Sequence, residues 1–392
     1  MKKIVVGLLV LLTGFIAWAQ GQYDDVLRQV EGNSIALKAL HKQMEAQQFG
    51  SRTGIYPSGP ELEYHHLPGS PTDIGNRRDI SVRQSFDFPT AYIYRGKIAS
   101  LQGENAGLTY QFERLNLLLS AKRICIDLIY YNALSKEYVQ RVQNAALIAD
   151  TWQVRFERGV ASILELNKAR LNLVAVQTEV SRIETEKATL IAELKILNGG
   201  NDIEFSETHY SLSALPPDFE DWYAQVESKN PAMELVNRQL EIEQQQLKLN
   251  RSLNFPKFAV GYMEEKVFSQ SYRGITAGLS IPLWENKNRV KQSKAQVQAA
   301  EITLKDTRVQ FHSRLHALYK KAAILLKNAQ VARHSLSLFN NEPLLKKVLD
   351  AGEISLINYL LELEYYYNAV DKVLEAERDL ELTMAELKAA EI

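Results

Sequence analysis

Cysteine is almost absent. The chain of 392 residues has one, Cys125, so it holds no internal disulfide. No cysteine lies near residue 20, which excludes a lipoprotein-type anchor at that site. An excess of charge is lacking too. Lys and Arg number 46, Asp and Glu 47, for a net charge of -1. That argues against a nucleic-acid partner, which needs a basic surface. Glycine (19) and proline (11) are sparse and cluster at residues 50–75, 198–217 and 256–282. Chains built this way read as long helices divided by a few special segments. Beyond residue 16 no run approaches eighteen apolar residues, so no membrane-crossing helix is expected there. Motifs for catalysis are missing as well. There is no glycine-rich phosphate loop, no local Ser/His/Asp set, and no glutamate placed between His312 and His316 in the zinc-protease manner. We therefore expect neither enzyme activity nor a cofactor.

What is present begins with a targeting segment. Lys2 and Lys3 precede the apolar run Ile4 to Ile16, and Ala17-Trp18-Ala19 forms a small-x-small cleavage site. Residues 1–19 read as a secretory signal, with Gln20 opening the mature chain.

The rest reads as one plan written twice. Phe88-Pro89 and Ile281-Pro282 are 193 residues apart, as are Gly159 and Gly352. Tyr56-Pro57 matches Phe255-Pro256 at an offset of 199, and Asn33-Ser34 matches Asn230-Pro231 at 197. The copies span 20–200 and 201–392. Each runs helix, strand, strand, long helix, sharp tip, long helix.

The tips are Arg158-Gly-Val-Ala-Ser162 and Ala351-Gly-Glu-Ile-Ser355. The glycine suits the left-handed residue that closes a helix. The serine caps the next helix, and Ser162-Ile-Leu-Glu165 reads as a capping box. Gaps this short make the flanking helices antiparallel.

Strands are expected at about 51–67 and 77–88 in copy one, and about 256–268 and 272–282 in copy two. Ile275, Ala277, Leu279 and Ile281 alternate with Thr276, Gly278 and Ser280. One face apolar and the other small or polar describes a half-buried strand. It suits both a membrane barrel and an ordinary soluble sheet. Four strands cannot close a barrel alone, and lipid forbids open edges. A membrane role therefore requires an oligomer, and a trimer gives about twelve strands.

From Pro89 to Gly159 is 70 residues, as from Pro282 to Gly352. Each stretch reaches about 105 Å if fully helical. Val290, Val297, Leu304, Phe311, Leu318, Leu325, Ala332 and Phe339 keep a seven-residue repeat. Leu166 to Leu197 and Tyr359 to Leu387 carry seams at alternating three and four spacing, broken only at Lys187 and Glu377. Such seams pack as coiled coils. A second stripe at Ile163, Leu164, Leu171 and Val174 lets that helix pack on two neighbours. Pro343 and the residues just before it interrupt the long helix of copy two.

Three stretches resemble the TolC-like outer-membrane factors: Arg155–Leu166, Gly278–Arg289 and Ala351–Leu363. The third is most similar to the cation-efflux branch, the CzcC-like and CusC-like channels. The resemblance implies a mainly α fold with a membrane β-barrel portion. It implies a homotrimer in which a helical tunnel continues into a twelve-stranded outer-membrane barrel set in lipid. It implies partners: a periplasmic adaptor and an inner-membrane RND-type pump. The docking site for the adaptor would be the tips, here Arg155, Arg158, Gly159, Ser162, Gly352 and Ser355. Some members line their aperture with aspartates after the second tip. Here those positions are Asn358 and Leu361, which leaves Glu165 and Asn358 as candidate aperture residues. Heavy-metal cations are the first expectation for the exported substrate, with drugs or other small molecules, or type I secretion, as alternatives. A soluble periplasmic coiled-coil adaptor would explain the signal and hairpins but not the two strand pairs. His312/His316 on a helix, and His65/His66 beside the turn at residues 67–71, are considered as metal ligands and more simply read as surface groups.

Overall fold

The computed structural model describes residues 23–211, 214–339 and 341–389. The signal segment at 1–19 lies outside the described residues. The chain opens with α1 (Asp24–Asn33) and α2 (Ile35–Ser51). Strands β1 (Glu61–Leu67) and β2 (Arg77–Phe86) follow, then α3 (Pro89–Glu157) and α4 (Ile163–Leu197). The second half holds α5 (Phe219–Lys229), α6 (Pro231–Ser252), β3 (Lys257–Val267) and β4 (Gln270–Ser280). It ends with α7 (Arg289–Leu338), α8 (Glu342–Asp350) and α9 (Leu356–Lys388). The protein is mainly helical, with a single four-stranded antiparallel sheet among the described residues.

Helix α3 has 69 residues, about 104 Å of rise. It can be this long because it serves a different neighbour at each level. Near the sheet, Ala91 and Ile98 pack against Ile242 and Leu249 of α6. Midway, Leu118, Ala121, Cys125, Ile126 and Ile129 meet Val26 and Val30 of α1 and Leu194 of α4. At the far end, Ile148, Ala149 and Trp152 join Leu166, Leu349, Leu356 and Tyr359. No single apolar stripe runs its length, so its pattern does not resolve into one heptad seam.

The other seams pack as the spacing predicts. Along α4, Leu166, Ala169, Ile183 and Leu194 are buried and the seam positions between them half-buried, Lys187 included. Along α9, Tyr359, Leu363, Val370, Val373, Leu380, Met384 and Leu387 are buried. In α7 the predicted repeat is half-buried from Val290 to Ala332, while Phe339 lies past the helix end and is exposed. Apart from Ser293, the buried residues are Leu315, Ala322 and Ala329, also seven apart and four residues on from Phe311, Leu318 and Leu325. The two series together form the a and d rows of a coiled coil.

The sheet order is β1-β2-β3-β4, leaving β1 and β4 as open edges. Its register sorts side chains into two faces. Leu62, Val82, Tyr262 and Ile275 share one row, and Phe86, Phe258 and Leu279 another on the same face. The opposite face carries Glu61, Arg83, Gly261 and Thr276, then His65, Asp79, Glu265 and Tyr272. The apolar side chains Leu62, Val82, Tyr262, Ile275, Phe258 and Leu279 are exposed.

Several boundaries differ from the sequence reading. The first helix breaks at Ser34, whose hydroxyl accepts from the Leu37 amide. The first strand begins at Glu61 rather than near 51. Helix α2 runs on to Ser51, and Gly54 (φ 70°), Pro57 and Pro60 then hold the chain out of a ladder. In copy two the strand ends at Ser280, and α7 starts only at Arg289. The intervening turn puts Asn288 at φ 66° and ties Asn286 Nδ2 to the Leu253 carbonyl at 2.6 Å. The helix then stops at Leu338 and resumes at Glu342, with Pro343 in the first turn of α8, as expected. His65 and His66 sit near the end of β1, inside the expected strand, and alternate between its two faces.

Candidate docking tips and their supports

Both tips close by the same backbone device. At the first, the Gly159 amide donates to the Phe156 carbonyl at 2.9 Å and the Val160 amide to that of Arg155 at 2.9 Å. At the second, Gly352 donates to Leu349 and Glu353 to Val348, each at 3.0 Å. This is the Schellman arrangement, and it needs a left-handed residue at each glycine. Gly159 has φ 72° and Gly352 φ 76°. A Cβ on either would meet nothing within 4 Å, so both stand in open space.

Each tip then starts its next helix with a serine cap. The Ser162 hydroxyl accepts from the Glu165 amide at 3.2 Å, while Glu165 Oε2 accepts from the Ser162 amide at 2.8 Å. The predicted capping box is complete. Ser355 accepts from the Asn358 amide at 3.2 Å. The Glu165 carboxyl is held below its ordinary range, first because it accepts the Ser162 backbone amide and then its hydroxyl. Its carboxylate is thus folded back onto its own helix. Asn358 is exposed on the outer turn of α9.

Arg158 is exposed, whereas Arg155 lies half-buried with its guanidinium 4.6 Å from the Trp152 ring centre. Around these polar groups Val160, Leu164, Ile357 and Leu361 are exposed. The tips of one chain are not independent. Trp152 and Leu166 from the first share a core with Leu349, Leu356 and Tyr359 from the second.

A polar cluster that the motifs did not single out braces the helices behind the tips. Arg141 of α3 is 3% exposed and bonds Asp371 of α9 through both terminal nitrogens, at 3.0 and 2.6 Å. It lies between the Tyr138 and Tyr367 rings, 4.3 and 4.4 Å from their centres. It also donates to the Tyr367 carbonyl at 3.3 Å. Tyr367 and Asn144 both reach Glu342 of α8, at 3.2 and 3.0 Å. Burial pushes the Tyr367 hydroxyl well above the ordinary range. Of the Tyr365-Tyr366-Tyr367 run, then, Tyr367 carries the polar link, Tyr366 is half-buried and Tyr365 is exposed. A buried arginine 230 residues from its carboxylate partner leaves no local signal.

The histidine pair of α7 faces α5. His312 and His316 both pack on the Phe219 ring, and His312 Nε2 is 3.5 Å from Glu220. Among the described residues no group of three or more His, Cys, Asp or Glu is placed to hold a metal ion. No described helix is long and apolar enough to cross a membrane.

No protein-family model and no curated protein matches the sequence. Solved structures do match. The CmeC outer membrane channel of Campylobacter jejuni superposes with a TM-score of 0.74 at 16% identity, over 94% of this chain and 85% of that one. The outer membrane protein VceC of Vibrio cholerae gives 0.80 at 14% identity, over 94% and 95%. CusC, whose structures concern folding and transmembrane channel formation, gives 0.73 at 15%, over 94% and 91%. At such identities the likeness speaks for the fold, and over nearly its whole length this chain has the fold of these outer-membrane channels.

Proposed function

We propose that this chain is the outer-membrane channel of a tripartite efflux pump. One observation carries the reading: a sheet with two open edges, whose one face is apolar and exposed over its lower rows, is joined to a helical shaft of about 100 Å. Such a sheet is untenable in lipid as a monomer and is satisfied by closure with other copies. Three copies give a twelve-stranded barrel whose outer face is the row of Leu62, Val82, Tyr262 and Ile275. The polar face, with Glu61, Glu63, His65, Asp79 and Glu265, lines the lumen. Residues 20–200 and 201–392 are the two repeats, and the helices form a periplasmic tunnel below the membrane.

The tips take up a periplasmic adaptor. Gly159 and Gly352 present bare backbone, which lets a partner helix approach closely. Arg155, Arg158, Ser162 and Ser355 frame the contact. The adaptor links the duct to an inner-membrane RND-type pump, which supplies the energy. Glu165 and Asn358 stand next to the aperture. Heavy-metal cations are the substrate we favour, on the resemblance of Ala351–Leu363 to the cation-efflux branch and on the carboxylates of the lumenal face. Export assays with metal ions and with dyes separate this from small-molecule efflux.

The deciding experiment is the mass of the detergent-purified protein together with its heat-modifiable migration. A trimer that dissociates on boiling is expected. A stable monomer, or recovery in the soluble periplasm without detergent, overturns the reading. For docking, a bulky residue at Gly352 should abolish export while the trimer survives; unchanged export removes the docking claim.

A further inference from the structure

The foot of the sheet carries two features on opposite edges that have no counterpart within one chain. Beneath β1 lies an apolar groove of about 590 Å3, walled by Ile55, Tyr56, Pro57, Phe86, Tyr92 and Phe258. It opens on the apolar face, since Phe86 and Phe258 form the lowest row of that face. The loop that makes its outer wall is held in place, with Gln84 Nε2 donating to the Ser58 carbonyl at 2.6 Å. Beneath β4, on the other edge, is the turn that follows Ser280. Its Leu283 and Trp284 are 74% and 77% exposed. The turn is itself fixed, by Asn286 to the Leu253 carbonyl and by Glu285 to Lys257 Nζ at 2.9 Å. A fixed turn that presents a leucine and a tryptophan to solvent holds a large apolar surface ready for a partner.

Topology says which partner. The strands alternate in direction from β1 to β4, so β1 rises as β4 descends. When sheets of several copies join edge to edge, the β4 of one chain lies antiparallel beside the β1 of the next. The lower end of that β4 then meets the lower end of that β1. Strand β1 is only seven residues long, so a staggered closure that keeps the two paired draws the end of β4, and the turn after it, down along the start of β1. Leu279 is the last residue of β4 on the apolar face, and the turn that carries Leu283 and Trp284 begins two residues beyond it, on the side of the sheet foot where the groove lies.

We propose that Leu283 and Trp284 of each chain plug the groove at Ile55–Pro57, Phe86, Tyr92 and Phe258 of the next, locking the barrel foot into a closed ring. The occupant is a second copy of this chain. The inference rests on the oligomeric channel proposed above, and it places at the base of the barrel a contact that sheet edges alone do not supply. The buried indole would fix which edge meets which and the stagger at which they meet. Register is otherwise weakly specified where strands pair only through their backbones.

The test is a cysteine pair, Tyr56→Cys with Trp284→Cys, in a Cys125→Ala background, treated with a short bismaleimide in native outer membranes. The expected result is a covalent dimer and trimer ladder from the double variant and none from either single variant. A trimer by detergent mass without that ladder overturns the plug and leaves the channel standing. A monomer by mass overturns the channel and the plug with it. A second readout avoids reliance on the double variant: Trp284→Ala should lower the temperature at which the trimer dissociates in detergent, and Trp284→Phe should restore most of it. Equal dissociation temperatures for all three would mean that lipid or water fills the groove, and would also overturn the proposal.

Discussion

Arg141 and Asp371 are joined by two parallel hydrogen bonds across α3 and α9, with the arginine buried and the aspartate about a quarter exposed. The difference in exposure sets the expected asymmetry of mutation. Asp371→Asn leaves a buried guanidinium without its counter-charge, which costs about 3–5 kcal/mol. Arg141→Met removes the buried charge and leaves a carboxylate that water can reach, so its cost is smaller. The double variant should be more stable than Asp371→Asn alone. Thermal melts of the four proteins check the order. Equal losses in both single variants would mean that the pair is not the brace.

The capping box at the first tip makes a pH-dependent prediction. The Glu165 carboxyl is held below its ordinary value in the folded chain by the Ser162 amide and hydroxyl. Its stabilising effect is therefore full above its unfolded pKa of about 4.3 and is lost as pH falls through the lower folded value. Glu165→Gln should remove that part of the acid sensitivity and Ser162→Ala should cost about 1 kcal/mol at neutral pH. The quantity to follow is the difference in melting temperature between wild type and Glu165→Gln from pH 6 to pH 3. A difference that does not shrink on acidification sinks the idea.

What the sequence revealed and what it withheld divide along one physical line. The tips were legible because their causes are local: a glycine at positive φ and a serine three residues on. The seams of α4 and α9 were legible because each helix buries a constant stripe. Helix α3 gave no such seam, because its neighbours change from α6 to α1 and α4 and then to α9. The Arg141 brace was invisible, since its charge pair is made by tertiary packing. The start of β1 was set too early because Tyr56 and Ile55 look like strand residues, yet they wall a groove beside Pro57. The stretch after Pro282 begins as a turn, with Asn286 bonded to the Leu253 carbonyl and Asn288 at positive φ, so α7 starts only at Arg289, and no local helix signal marks that delay.

Cys125 offers a direct check on the packing of the midsection. It is fully buried among Leu118, Ala121, Ile126 and Ile129, and burial pushes its thiol up to about 12. A buried neutral thiol is a poor nucleophile. Maleimide or Ellman's reagent should leave it unmodified in the native protein and titrate one thiol per chain after denaturation. Rapid native labelling would show that the contact of α3 with α1 and α4 opens in solution.

Gly159 and Gly199 separate backbone strain from steric clash. Both hold positive φ, 72° and 66°, and both close a helix by the same pair of amide bonds. An alanine at either carries the left-handed penalty of about 1–2 kcal/mol. At Gly159 nothing else resists it, because the new methyl points into open space. At Gly199 the methyl would lie 2.5 Å from the Asn33 carbonyl oxygen. That carbonyl cannot easily withdraw, because it ends α1 and its own side chain bonds Asn198 Oδ1 at 3.0 Å. The Asn198 side chain is fully buried there, so the junction of α1, α2 and α4 would have to open to admit the methyl. Gly199→Ala should therefore cost about 3 kcal/mol or more, and Gly159→Ala no more than the strain alone. Denaturant titration of the two variants reads the contrast. Equal losses would mean that the Asn33–Asn198 junction yields freely and that only the backbone conformation matters at either glycine.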